Sequence, residues 1–151
     1  MTALPITGAC LCGGVRYEVA EPFVSAGYCH CTRCQRRTGT AAAASARTVP
    51  GSFHLTAGRE LVREWDPGDG GFLKAFCTAC GGALYSVNPP GGAEEILSVR
   101  LGTVDGEPGI RPSYRQRVAT AAVWEPLPDD GLPRHPGPSP GVRDPAPPPA
   151  A

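Results

Sequence analysis

The sequence holds one lysine, Lys74, and one methionine, Met1, and aromatic residues fill only 7% of its 151 positions. So few aromatics limit the apolar area a core can bury, and a chain of this length makes one domain rather than two. Acidic and basic residues cancel to a formal net charge of zero, which leaves no basic stripe of the kind nucleic-acid binding needs. No apolar run approaches membrane-spanning length, so no membrane partner is expected. The segment 1–9 has neither a charged start nor an apolar stretch, so no signal peptide is expected, and the expected location is the reducing cytoplasm.

Against these shortages stand seven cysteines, all within three tight groups: Cys10-x-Cys12, Cys29-His30-Cys31-x-x-Cys34 and Cys77-x-x-Cys80. An odd total leaves one thiol over in any full disulfide pairing, and thiols one residue apart are badly placed to bridge each other. Thiolates at these spacings suit a soft tetrahedral cation, zinc above all. Cys29, Cys31 and Cys34 lie within one turn-sized segment and can grip three corners of one ion. The other four complete a set: Cys10 and Cys12 are expected on one side of an extended strand, and Cys77 and Cys80 form a knuckle. Four ligands close a structural zinc, whereas three leave a position for water or substrate. Two Zn2+ per chain are therefore expected. The alternatives are buried or redox-active thiols for the four-cysteine set, and a trio closed by His30 or by the distant His54. In an extended segment His30 faces away from Cys29 and Cys31.

Strand patterns dominate the rest. Val15, Tyr17 and Val19 alternate with Arg16 and Glu18, and further strands are expected at 53–56, 61–65, 72–76, 83–87 and 96–101. A short helical turn is expected from Thr32 as N-cap through Arg37, stopped by Gly39. Its basic residues Arg33, Arg36 and Arg37 are candidate contacts for an anionic substrate, or else a solvated helix face. The alanines 41–44 carry little weight as a helix signal. After Glu125 prolines crowd the chain, so residues 4–125 are read as the domain and 126–151 as a largely disordered, proline-rich extension.

The ordered motifs Gly8-Ala9-Cys10-Leu11-Cys12-Gly13-Gly14, Cys29-His30-Cys31-x-x-Cys34 with Thr38-Gly39, and Phe76-Cys77-x-x-Cys80-Gly81 resemble the glutathione-dependent formaldehyde-activating enzyme family, also described as centromere-protein-V-like. The resemblance implies a mainly β, zinc-stabilised β-tent of short antiparallel strands. It implies structural zinc on Cys10, Cys12, Cys77 and Cys80, and catalytic zinc on Cys29, Cys31 and Cys34. The implied activity is a carbon–sulfur lyase that adds a thiol such as glutathione to formaldehyde or another small aldehyde. A non-catalytic zinc module acting through a protein partner is the alternative. The chain departs from the family pattern after Arg111-Pro112, where Arg115 stands in place of a histidine, while Trp124 still fits a later tryptophan.

Overall fold

The structure, a computed structural model, describes residues 2–140. Its ten strands are short, as expected of a chain punctuated by glycine and proline. In chain order they are β1 (Ile6–Ala9), β2 (Arg16–Val19), β3 (Ser25–Cys29), β4 (Ala43–Arg47), β5 (Phe53–Ala57), β6 (Val62–Trp65), β7 (Leu73–Cys77), β8 (Ala83–Val87), β9 (Leu97–Arg100) and β10 (Arg115–Gln116). The single α-helix among the described residues, α1 (Thr32–Thr38), lies between β3 and β4.

Two sheets result. Strands β1, β2 and β5 make a small antiparallel sheet, and the others make a large sheet ordered β10-β3-β4-β9-β8-β7-β6. All pairings are antiparallel except that of β10 with β3. The mainly β fold expected from the sequence is thus the fold observed, with one parallel pairing added. The core lies between the sheets. Tyr17 and Val19 from the small sheet, with Val15 just before β2, meet Ala75, Tyr85, Val99 and Ala46, which stand opposite one another across β7, β8, β9 and β4. Phe53 joins the two layers, with its ring 5.1 Å from that of Tyr17 and 4.8 Å from that of Tyr85.

Two expectations about chain path are corrected. Cys10 and Cys12 do not lie on a strand: β1 ends at Ala9, and residues 10–13 form a turn closed by the Gly13 amide on the Cys10 carbonyl, at 3.1 Å. Glycine makes that turn possible, since Gly13 adopts a φ of 74° that a side chain would strain. The second correction concerns the boundary after Glu125. Residues 128–139 run beside β10 and are hydrogen-bonded to it: Arg115 N–H donates to Pro133 O and His135 N–H to Arg115 O, both at 2.8 Å, and Arg117 N–H donates to Gly137 O. Asp130 pairs with Arg115 at 2.8 Å, and Ser139 N–H reaches Gln116 Oε1. The folded unit therefore extends past the expected edge, and the remainder of the proposed extension, 141–151, lies outside the described residues.

Candidate metal centre

The four-cysteine group forms where the sheets converge. Its two halves use the same local device. At the first, Cys10 N–H donates to Val15 O and Gly13 N–H returns to Cys10 O; at the second, Cys77 N–H donates to Gly82 O and Gly81 N–H returns to Cys77 O. Gly81 matches Gly13 with a φ of 76°. The four Sγ atoms all lie within 4.8 Å of one another, with Cys10 to Cys12 at 3.6 Å and Cys12 to Cys77 at 3.9 Å. A tetrahedral ion with bonds of about 2.3 Å to sulfur sets its ligands about 3.8 Å apart. The donor set fits such an ion. Amides also aim at the sulfurs: Val15 N–H donates to Cys10 Sγ at 3.2 Å, and the backbone amides at Cys12 and Gly82 draw the Cys80 thiol down to about 6.

The trio is assembled by the end of β3 and the start of α1. Cys29 closes the strand, while Cys31 is the N-cap of α1 and accepts the Cys34 N–H on Sγ at 3.3 Å. The helix stops where Gly39 takes a φ of 68° and donates to Gln35 O, the left-handed ending that glycine permits. Thus the helix begins one residue earlier than the sequence suggests, with a cysteine as cap. The three Sγ atoms lie within 4.8 Å of one another, and among the described residues no fourth cysteine, histidine or carboxylate joins them. Their contacts split the thiols: Cys31 is drawn down to about 2, first by Cys29 and then by Cys34, while Cys29 is pushed up. Thiols this close compete to hold protons, and a divalent cation would relieve that conflict.

Neither histidine weighed as a fourth ligand is in position. His54 lies on β5, opposite Glu18 in the small sheet. His30 is buried and turned away from the sulfurs, as its place between Cys29 and Cys31 predicts, with Nε2 3.2 Å from Arg115 Nη1. Arginine has no acceptor, so Nε2 accepts and the ring carries its proton on Nδ1. Burial, then the Arg115 charge, keeps this imidazole below its usual pKa. Arg115 also stacks 4.3 Å from the centre of the Tyr28 ring. Its charge is matched by Asp130.

The helix arginines diverge. Arg33 pairs with Asp69 and Arg36 is exposed, but Arg37 reaches inward to Ser86 Oγ at 2.8 Å and to the carbonyls of Ala75 and Tyr85. Burial first, then Arg100, lowers Arg37 to about 9. Sequence reasoning did not find Arg100 or Lys74, whose charges act on Cys34 or are acted on by it. The available signal was Lys74 itself, a cation between the buried strand residues Leu73 and Ala75. A cleft of about 270 Å³, lined by Tyr28, His30, Thr40, Arg115, Glu125 and Leu127, adjoins the trio through His30. A larger cleft of about 480 Å³ lies at the far end of β3, near Ser25 and Arg47, and no cysteine lines it.

A crystal structure of a Rhodobacter sphaeroides protein has a similar fold, with a TM-score of 0.56 over 85% of this chain and 98% of the other. The two are 23% identical, so the likeness speaks for the fold alone. No curated protein matches the chain in sequence. The sequence model of the glutathione-dependent formaldehyde-activating enzyme family matches residues 5–120, a span that includes both cysteine clusters. With that match and two cysteine groups able to hold metal, the chain belongs to the glutathione-dependent formaldehyde-activating enzyme family.

Proposed function

We propose that this protein is a zinc-dependent carbon–sulfur lyase of the cytoplasm that joins a low-molecular-weight thiol such as glutathione to a small aldehyde. In this reading Cys10, Cys12, Cys77 and Cys80 hold a structural zinc, and Cys29, Cys31 and Cys34 hold a catalytic one. The observation that carries the reading is the trio with no fourth protein donor among the described residues, because a three-ligand site leaves room for an exchangeable one. Bound there, zinc supplies a Lewis acid that keeps an incoming thiol in its nucleophilic thiolate form.

The chain's own groups do the rest. Cys31 fixes the mouth of the trio by serving at once as a cluster thiol and as the cap of α1. His30, held in one tautomer by Arg115, keeps its ring in the cleft and leaves the trio open. Arg36, with Arg33 beside its Asp69 partner, sits on the exposed side of α1, where a carboxylate-bearing thiol can be received; Arg37 is committed to the fold through Ser86. In the addition the sulfur forms a bond to the carbonyl carbon as the carbon–oxygen π bond breaks. The proton lost by the thiol returns to the carbonyl oxygen, so no oxidant or reductant is needed.

Cobalt in place of zinc tests this directly, because thiolate-to-cobalt absorption reports sulfur ligation. Glutathione should shift the cobalt spectrum of wild type and not of Cys31→Ser, and wild type should speed formation of the hydroxymethyl thioether from formaldehyde. A spectrum indifferent to thiol, with adduct formation at the uncatalysed rate, would reject the lyase.

A further inference from the structure

The sheet face beneath α1 is unlike the core face. Across β7, β8 and β9, Lys74, Ser86 and Ser98 stand opposite one another, and on the next row Arg100 faces Ser45. Side chains alternate along a strand, so this row points away from the apolar layer of Ala75, Tyr85 and Val99. The helix covers it and adds a further cation: Arg37 and Arg100 both donate to the same Ser86 Oγ, at 2.8 and 3.0 Å. Arg100 is 9% exposed, and among the described residues its Nε has no hydrogen-bond partner.

Buried guanidinium groups that share a neutral acceptor repel one another, and negative charge nearby relieves that repulsion. Arg37 follows Cys34 by three residues on α1, so the two share one face of the helix. The trio lies at the start of the same helix, which sets its thiols beside this cationic layer. A divalent ion held by three thiolates carries one net negative charge, and a fourth thiolate would make it two. Without compensation that second charge would weaken the binding of an anionic ligand in a site of low dielectric.

We propose that Arg37, Arg100 and Lys74 form a counter-charge layer that lets the three-cysteine site accept an anionic fourth ligand, the thiolate form of its substrate, in preference to a neutral one. This rests on the open metal site proposed above and deepens it by naming the charge class of the ligand. The three cations are positioning residues, since they act on the ligand through the field at the trio.

The test uses the cobalt-loaded full-length protein, with 2-mercaptoethanol as the source of an anionic ligand and imidazole as a neutral one, at one fixed alkaline pH. Lys74→Met should weaken thiolate binding roughly tenfold, the size of one partly screened charge interaction, while leaving imidazole within about twofold. Lys74→Arg should restore the wild-type preference. Because Lys74 is the sole lysine, acetylation against amidination of the folded wild type repeats the comparison without refolding: both cover the amine, but only amidination keeps its charge. Equal weakening of both ligands, or no change in either, would overturn the proposal. A wild-type spectrum that answers to neither ligand would instead remove the open site on which it rests.

Discussion

The two cysteine clusters should fail differently, and exchanging one sulfur for oxygen in each shows how. Cys77 is 0% exposed, ends β7, and has its amide and carbonyl engaged in the knuckle turn. Serine there removes one of four ligands from the junction of the sheets. Structural zinc in small domains supplies on the order of 10–16 kcal/mol, whereas a whole domain is stable by only about 5–15 kcal/mol. Forfeiting even half of the first figure exhausts most of the second, so Cys77→Ser should be largely unfolded at room temperature. Cys31 is a different case. Its Sγ caps α1 by accepting the Cys34 N–H, and serine is among the best N-caps, so the helix should lose no more than about 1 kcal/mol. For a chain of this size that is a fall of about 2–4 °C in melting temperature. Native mass spectrometry and thermal melting followed by circular dichroism read both effects. The expected outcome is an unfolded Cys77→Ser, and a folded Cys31→Ser with one zinc fewer. Cys77→Ser melting within a few degrees of wild type, or Cys31→Ser unfolding, would refute this division of labour.

Two further outcomes follow from the C-terminal stretch. Ending the chain after Glu125 strips Arg115 of Asp130 and of its backbone partners Pro133 and His135, and should lower the melting temperature by about 5 °C or more; an unchanged melt would show that the stretch adds nothing. Asp130 has its pKa lowered by Arg115 first and by the Leu132 amide second, so its contribution is present above the ordinary carboxylate range and lost as pH falls through the lower folded value. The melting gap between wild type and Asp130→Asn should accordingly be steady near neutrality and close in acid, and a gap that widens on acidification would contradict the pairing.

The cysteine groups were legible because their ligands are few, soft and tightly spaced, and because glycine follows each pair. The turn at Gly39 and the alternation through Tyr17 were legible for equally local reasons. Strands β3 and β4 were not. Their residues are small, with Gly27 where any Cβ would fall 2.3 Å from the Tyr114 ring, and Ala26 and Ala46 buried in the core. Close packing from elsewhere in the fold selects such residues, and propensity does not record it. The docking of 128–139 was hidden by proline. A proline has no amide to donate, yet its carbonyl still accepts, and Pro128, Pro133 and Pro136 are all acceptors here. Composition registered the missing donors and overlooked the acceptors. Arg100 and Lys74 escaped notice because cross-strand register, which brings them under α1, is a property of the assembled sheet.

The sequence separation of the cysteines bears on when each group could take up a metal. Cys29, Cys31 and Cys34 share one short stretch, so an emerging or unfolded chain can already wrap them around an ion. Cys12 and Cys77 are 65 residues apart, and no such ion can be gripped until β1 and β7 have both been made and brought together. A ligand that binds the unfolded chain as well as the folded one adds little to stability, whereas one that binds only the folded chain adds its full affinity. During synthesis the trio could therefore take up an ion before there is a domain to stabilise, whereas the four-cysteine group could not do so until β1 and β7 have met.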